Sequence, residues 1–409
     1  MPSLEQCRRS IRRVGVEMQT TQAETVLIHR KASIDVWLLT LVIVLSAAGL
    51  VMMGSASMDF AAAQYGNPFH YIVRHAFYLA LGMGTLWVTL QVPVWLWEQT
   101  GSWLLLLGIG ILALLLVPGV GREVNGATRW FGIGPFSLQP SELMKPFFAI
   151  YLAGYMTRHQ YEVQHHWGGM LKPLGVLAVV MLLLILEPDF GAAVVIAGTA
   201  MAMLFLGGAR LLRFGVLLVL ALAGASAVAV LSPYRVARLI TFLDPWSEQF
   251  GDGYQLTQAL IAFGRGEIFG VGLGNSVQKL FYLPEVHTDF VFAVVAEELG
   301  LLGCLGFITL FALLIARILD IGSKAAQRQQ SFQAYVCFGI ALLIAAQVFI
   351  NIGVNTGLLP TKGLTLPFLS YGGSSLLVLL ATMGLVLRIE RELRMAPIAA
   401  PAPWRLRRG

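Results

Sequence analysis

The sequence predicts an all-α polytopic membrane protein of about ten transmembrane helices, with a long outer loop between the seventh and the eighth. Three observations predict it. Apolar residues make up 57% of the 409-residue chain and charged residues 12%, about half the roughly 25% of a soluble domain. The apolar residues gather in long runs such as Val36 to Met53 and Leu212 to Leu231. A helical run of about 20 residues, rising 1.5 Å each, matches a hydrocarbon layer of about 30 Å. Lys and Arg, finally, alternate in density from loop to loop.

Residues 1–34 form a basic tail without the apolar core of a cleavable signal peptide, so the first span acts as an uncleaved anchor. The membrane domain covers 35–390, and 391–409 is a second basic tail. Spans are expected near 36–54, 71–90, 102–118, 141–157, 172–187, 190–207, 212–231, 289–318, 333–354 and 368–388. Glu187-Pro188-Asp189-Phe190-Gly191 leaves almost no loop between the fifth and sixth. The ninth contains Gln347 and Asn351, so its outer end faces protein rather than lipid. The large periplasmic loop, 232–288, contains Leu256, Ala259, Leu260 and Phe263 at helical spacing, with Gly264 as the expected C-terminal cap. That is a short amphipathic helix on the membrane or across the mouth of the bundle. Gly264, Gly266, Gly270, Gly272 and Gly274 then give a flexible re-entry; no strand precedes them, which argues against a nucleotide loop.

Orientation follows from the positive charges. With the N-terminus inside, the outer side receives only Arg122, Arg129, Arg235, Arg238, Arg265, Lys279 and Lys362 of the 28 Lys and Arg. Arg74 and Lys145 fall within or at the ends of spans, and the rest lie inside. Both termini are then cytoplasmic, which requires an even number of spans. The net charge of +6 is thereby accounted for without nucleic acid. Cys7, Cys304 and Cys337 form neither a disulfide framework nor a zinc site. His159, His165 and His166 lie in a cytoplasmic loop among solvated residues.

Charged groups within a span cost about 2.5–3.5 kcal/mol each at its centre, so they pair or line a wet cavity. Glu142 and Lys145, three apart at the outer start of the fourth span, share a helical face. Two readings stand for them: a structural ion pair, or a lysine that meets an anionic lipid headgroup with the glutamate holding it. Arg74 fits either. Where the long loop enters the eighth span, Thr288 or Asp289 is a good N-cap. A cap and a base are compatible, because the helix dipole keeps such a carboxylate ionised at the water interface, as a general base requires. His287 and Glu285 would be supporting or substrate contacts. Glu297 and Glu298, deeper in the same span, suit helix packing or gating. Arg129 precedes Trp130, a pairing suited to a headgroup and an interfacial belt.

The stretches Gly126 to Trp130, Gln139 to Lys145, Glu187 to Gly191, Gly270 to Asn275, Leu283 to Phe290 and Tyr371 to Ser375 resemble the SEDS family, the shape, elongation, division and sporulation proteins. They run from the third span to the tenth. Lys279 to Glu285 and Asn355 to Pro367 are more similar to the division members than to the elongation members. The resemblance implies a ten-helix peptidoglycan glycosyltransferase acting on lipid II, the undecaprenyl-pyrophosphate disaccharide-pentapeptide. It implies a class B penicillin-binding transpeptidase and other division proteins as partners, at the septum of a bacterial inner membrane. It maps the family's proposed catalytic aspartate onto Asp289, and its essential Glu and Lys onto Glu142 and Lys145. Such chemistry needs a base for the acceptor sugar's 4-hydroxyl and cations for the departing pyrophosphate. Lys145, Arg129, Arg235, Arg238 and Lys362 are the candidate clamps. A divalent cation (Mg or Mn) at Asp289 would also serve, although no metal-ligand spacing marks one. The rival readings are a flippase for lipid II, since broken helices at Pro140, Pro188 and Pro360 suit a transporter, and a non-catalytic scaffold that recruits the transpeptidase.

Overall fold

In hydrocarbon each backbone amide must find its partner within its own segment, so long apolar runs fold as helices. The computed structural model describes residues 34–124, 127–133, 136–230, 241–251, 253–284, 286–360 and 363–395. Its helices are α1 (Val36–Tyr65), α2 (His70–Gln91), α3 (Val94–Leu115), α4 (Pro140–Arg158), α5 (Gln160–His165), α6 (Trp167–Leu186), α7 (Phe190–Leu206), α8 (Leu211–Val230), α9 (Tyr254–Gly266), α10 (Val291–Gln327), α11 (Ser331–Asn355) and α12 (Gly373–Met395). Six of them, α1, α3, α6, α10, α11 and α12, are long and apolar enough to cross a membrane by length and composition. Their outward faces leave Trp103, Leu106, Leu182, Leu301 and Phe349 exposed, as expected of surfaces that meet lipid rather than water.

α11 is central and packs against α4, α7 and α10, while α12 lies along α2 and α3 along α4. The α2–α12 contact is close: a Cβ at Gly384 would collide with Thr89, whose hydroxyl donates to Ala381 O at 2.9 Å. Small residues allow such an approach.

Three expectations are corrected. The chain is not purely helical: between α3 and α4, β1 (Arg122–Val124), β2 (Ala127–Ile133) and β3 (Phe136–Leu138) form an antiparallel meander with Val124 opposite Ala127 and Phe131 opposite Leu138. Strands this short escape a hydropathy window, although Trp130, Phe131 and Ile133 favour extended backbone and Asn125-Gly126 is a hairpin signal. α1 continues well past residue 54, because Ser55 finds a buried partner, and it ends at Gly66 in the left-handed region (φ 67°). α9 runs past Gly264 to Gly266, which packs so tightly on Ala296 O that no Cβ fits there.

α10 is broken at Gly300 (φ 65°, ψ −163°). The backbone groups released there pair with the segment after α9. Val271 N donates to Glu297 O (3.0 Å) and Gly272 N to Glu298 O (3.0 Å), while Leu301 N donates to Glu267 O (2.9 Å) and Leu302 N to Ile268 O (3.1 Å). At the end remote from the meander, Asp35 ties α1 to α10 and α12 through Arg317 (2.8 Å) and Arg394 (3.7 Å).

Candidate active site

The turns from Val286 bring Asp289 to the position just before the N-cap of α10. Neither Thr288 nor Asp289 takes the N-cap position expected of it: Phe290 does, with no side-chain bond. The cap comes from another helix. Oδ1 of Asn355, the last residue of α11, accepts from Ala293 N at 3.1 Å. The Nδ2 of Asn355 donates to Asp289 O at 3.0 Å, and so does the Nδ2 of Asn351, also at 3.0 Å. Asn351 reaches Leu364 O as well, at 2.6 Å. Both asparagines are buried, whereas Asp289 is only half-buried. Its carboxylate rests against Gly363, where a Cβ would stand 3.1 Å from Oδ2.

α4 opens with Pro140 at its first position and Glu142 in its first turn, where the helix dipole favours a negative charge. Glu142 Oε2 and Lys145 Nζ are 2.7 Å apart and both side chains are buried. The pair borders a cavity of about 30 Å³ between α4, α11 and α12, whose polar lining includes Gln347, Ser375 and Thr382. A cavity of that size admits a water molecule. Asp289 does not line it. Gln347, Asn351 and Asn355 repeat every fourth residue, so the cavity and Asp289 are served by one face of α11, about 6–12 Å apart along its axis at 1.5 Å per residue.

Arg74 is not drawn to the Glu142–Lys145 pair. Its charge lies beside the Tyr371 side chain instead. Tyr371 N donates to His287 O at 2.8 Å. His287 is buried among Phe60, Tyr71 and Tyr371, with ring centroids 5.3, 4.9 and 6.1 Å away. Its ring therefore braces the aromatic wall beside the Asp289 turn.

Arg129 on β2 donates through Nη2 to Pro188 O (2.7 Å) and through Nε to Glu187 O (3.3 Å), fastening the meander to the α6–α7 turn. Asp189 caps α7 through Ala192 N (3.1 Å) and accepts from Gln139 Nε2 (2.9 Å) and Ser141 Oγ (2.6 Å). Two separate sequence stretches, at the starts of α4 and α7, thus meet beside Arg129. Burial pushes the Glu187 carboxyl up to about 8, helped by the charge of Asp189 and opposed by Arg129.

Glu297 and Glu298 hold the loop to α10. Glu298 accepts from Ser55 Oγ (2.7 Å) and pairs with Lys279 (3.3 Å). Glu297 pairs with Arg265 (3.2 Å) and accepts from Ser276 Oγ and Val277 N. Lys279 and Arg265, read from sequence as outer cations, are therefore committed to these carboxylates. His159 and His165 stack on Tyr155 and Tyr161. Glu285, Arg235, Arg238 and Lys362 lie outside the described residues. Among the described residues no three His, Cys, Asp or Glu side chains gather as metal ligands. A divalent ion at Asp289 would draw most of its ligands from water and substrate oxygens.

Asn351 and Asn355 as supports of Asp289 were not read from sequence. Their signal was the Gln347–Asn351–Asn355 stripe on an otherwise apolar helix.

The family model for the FtsW, RodA and SpoVE cell cycle proteins matches residues 36–395. A probable peptidoglycan glycosyltransferase FtsW of Pseudomonas fluorescens (strain SBW25) is 56% identical over 366 residues, covering 89% of this chain and 90% of the relative. One from Coxiella burnetii is 54% identical, covering 88% and 97%. Among solved structures, a chain from work on "structural coordination of polymerization and crosslinking by a peptidoglycan synthase complex" superposes with a TM-score of 0.72 at 31% identity, covering 89% of this chain and 99% of that one. The rod shape determining protein RodA of Thermus thermophilus gives a TM-score of 0.65 at 29% identity, covering 88% and 97%.

Proposed function

Because the chain belongs to the family of FtsW, RodA and SpoVE cell cycle proteins, we propose that it is a peptidoglycan glycosyltransferase of septal wall synthesis that polymerises lipid II with Asp289 as general base. Ten helices, α1 to α4, α6 to α8 and α10 to α12, cross the bacterial inner membrane, and both termini are cytoplasmic. The distribution of Lys and Arg supports this orientation, and it sets the meander and the 232–288 loop on the periplasmic side, where lipid II is consumed.

One observation carries the chemistry: a half-buried carboxylate whose backbone is held by two buried amides and whose oxygen faces a residue without a side chain. Asp289 removes the proton from the acceptor's 4-hydroxyl, and the freed oxygen attacks the donor's anomeric carbon as the C–O bond to pyrophosphate breaks. A base in this role contributes about 10²–10⁴-fold. The developing pyrophosphate charge is met by cations. Lys145 is the buried candidate, at the level where a lipid headgroup enters. Arg129 retains N–H groups beyond the two given to carbonyls, and Arg235, Arg238 and Lys362 complete the set proposed from sequence. Glu142 holds Lys145 in place. Arg74 and His287 shape the rim, and Glu285 is kept as the supporting or substrate contact expected from sequence. The partner is a class B penicillin-binding transpeptidase; a similar solved chain belongs to a complex that joins polymerisation to crosslinking.

The test is polymerisation of labelled lipid II by the purified protein with its transpeptidase in detergent, where flipping is not required. Glycan strands from the parent and a rate lower by about 10²–10⁴-fold from Asp289→Ala are expected. Absence of strands from both, with a transpeptidase that remains active, would favour a flippase or a scaffold.

A further inference from the structure

The polar groups around Asp289 are arranged with an economy that helix packing alone does not require. A buried amide side chain carries two N–H donors and one acceptor, and leaving any of them unpaired is costly. Asn351 spends its donors on Asp289 O and Leu364 O. Asn355 spends its own on Asp289 O and Asn351 O, and its acceptor on Ala293 N. One carbonyl, that of Asp289, thus receives two amide donors, and the first turn of α10 is capped by a residue 62 positions away in sequence.

We propose that Asn351 and Asn355 are positioning residues for Asp289, fixing the direction in which its carboxylate meets the acceptor hydroxyl; this rests on Asp289 being the base. Two donors on its carbonyl restrain the peptide plane that follows Asp289 and, with it, the bearing of the side chain. Capping by Asn355 relieves the residues before Phe290 of that duty. Asn351 also holds Leu364 O, one residue beyond Gly363, so the same side chain sets the base and the wall it faces. The distance between carboxylate and wall is then decided by one helix, α11. Misplacing a reacting group by about 1 Å costs on the order of 10²-fold in rate, which is the scale on which such a clamp acts.

Asn351→Ala is the primary variant, because the α10 cap made by Asn355 survives in it. Asn351→Ser, which keeps a small polar group, replaces it if the alanine variant does not accumulate. Each is made in the parent and in an Asp289→Asn background, and polymerisation of labelled lipid II by the complex with the transpeptidase is followed as kcat and KM. In the parent, kcat falls by about ten- to a hundredfold with KM retained. In the Asp289→Asn background the residual rate changes by less than about twofold, since the clamp has no base left to aim. An equal loss in both backgrounds means that the pair merely holds the helices together, and an unchanged kcat in the parent means that it does nothing for the reaction; either overturns the proposal while leaving Asp289 as the base. Full activity of Asp289→Asn by itself would overturn the base assignment and this proposal with it.

Discussion

Oδ2 of Asp289 lies where a side chain at residue 363 would begin: a Cβ on Gly363 would stand 3.1 Å from it. The atoms a Cβ would meet belong to the end of the Asp289 side chain and not to backbone, so that side chain can give way. Gly363→Ala should therefore fold, with a melting temperature close to the parent's. Its polymerisation rate is expected to fall by about tenfold or more as the carboxylate is displaced. Thermal melting and the lipid II assay on the same preparation check both halves.

The Glu142–Lys145 pair makes a prediction that separates stability from activity. Removing one partner of a buried pair strands the other charge, at about 3–5 kcal/mol. Lys145→Met should lower stability on that scale, and Glu142→Gln with Lys145→Met should recover most of it. If Lys145 meets the substrate's anionic group, the double variant melts like the parent but stays inactive. Recovery of polymerisation would leave only the structural role.

Glu298 and Lys279 should be coupled in the same sense. Glu298→Gln leaves Lys279 beside Ser55 and Gly274 O with its main counter-charge removed. The 272–279 segment is expected to exchange its amide hydrogens faster in Glu298→Gln, with little change around α6 and α7. Hydrogen exchange read by mass spectrometry resolves the two regions.

Glu187 gives the pH dependence. Burial, then the neighbouring Asp189 charge, raises its folded-state value from 4.5 to about 8 against a weaker pull from Arg129. Between those values the folded state holds a proton that the unfolded state releases, so this group's contribution is complete at the acid end and is lost as pH rises to about 8. The melting temperature should fall through that window in the parent. In Glu187→Gln the fall should be shallower, because the amide does not titrate.

The membrane-domain character was legible because it needs only hydropathy, and the Glu142–Lys145 pair because a spacing of three is local. The clamp on Asp289 was not legible: Asn355 reaches it across 66 residues, and nothing near either residue encodes the meeting. Arg74 was misplaced for the same reason, since Tyr371 enters from α12's approach and not from a neighbouring turn. Lys279 and Arg265 looked like free outer cations because their carboxylate partners lie in the next helix. The meander was lost to its brevity. The N-cap expectation failed where composition allowed it, because a side chain from a distant helix already supplied the acceptor.

α10 has 37 residues, and as a straight rod would measure about 55 Å. The kink at Gly300 divides it, and the segment 267–272 is spliced into the gap as a borrowed rung of backbone pairing. A splice of this kind depends on count as well as on Gly270 and Gly300, which leave room for the two backbones to meet. Deleting one residue between Gly272 and Lys279 would leave every amino acid in that stretch chemically suitable and still put the lysine out of step with Glu298. Length, in this part of the chain, is itself a constraint of the architecture.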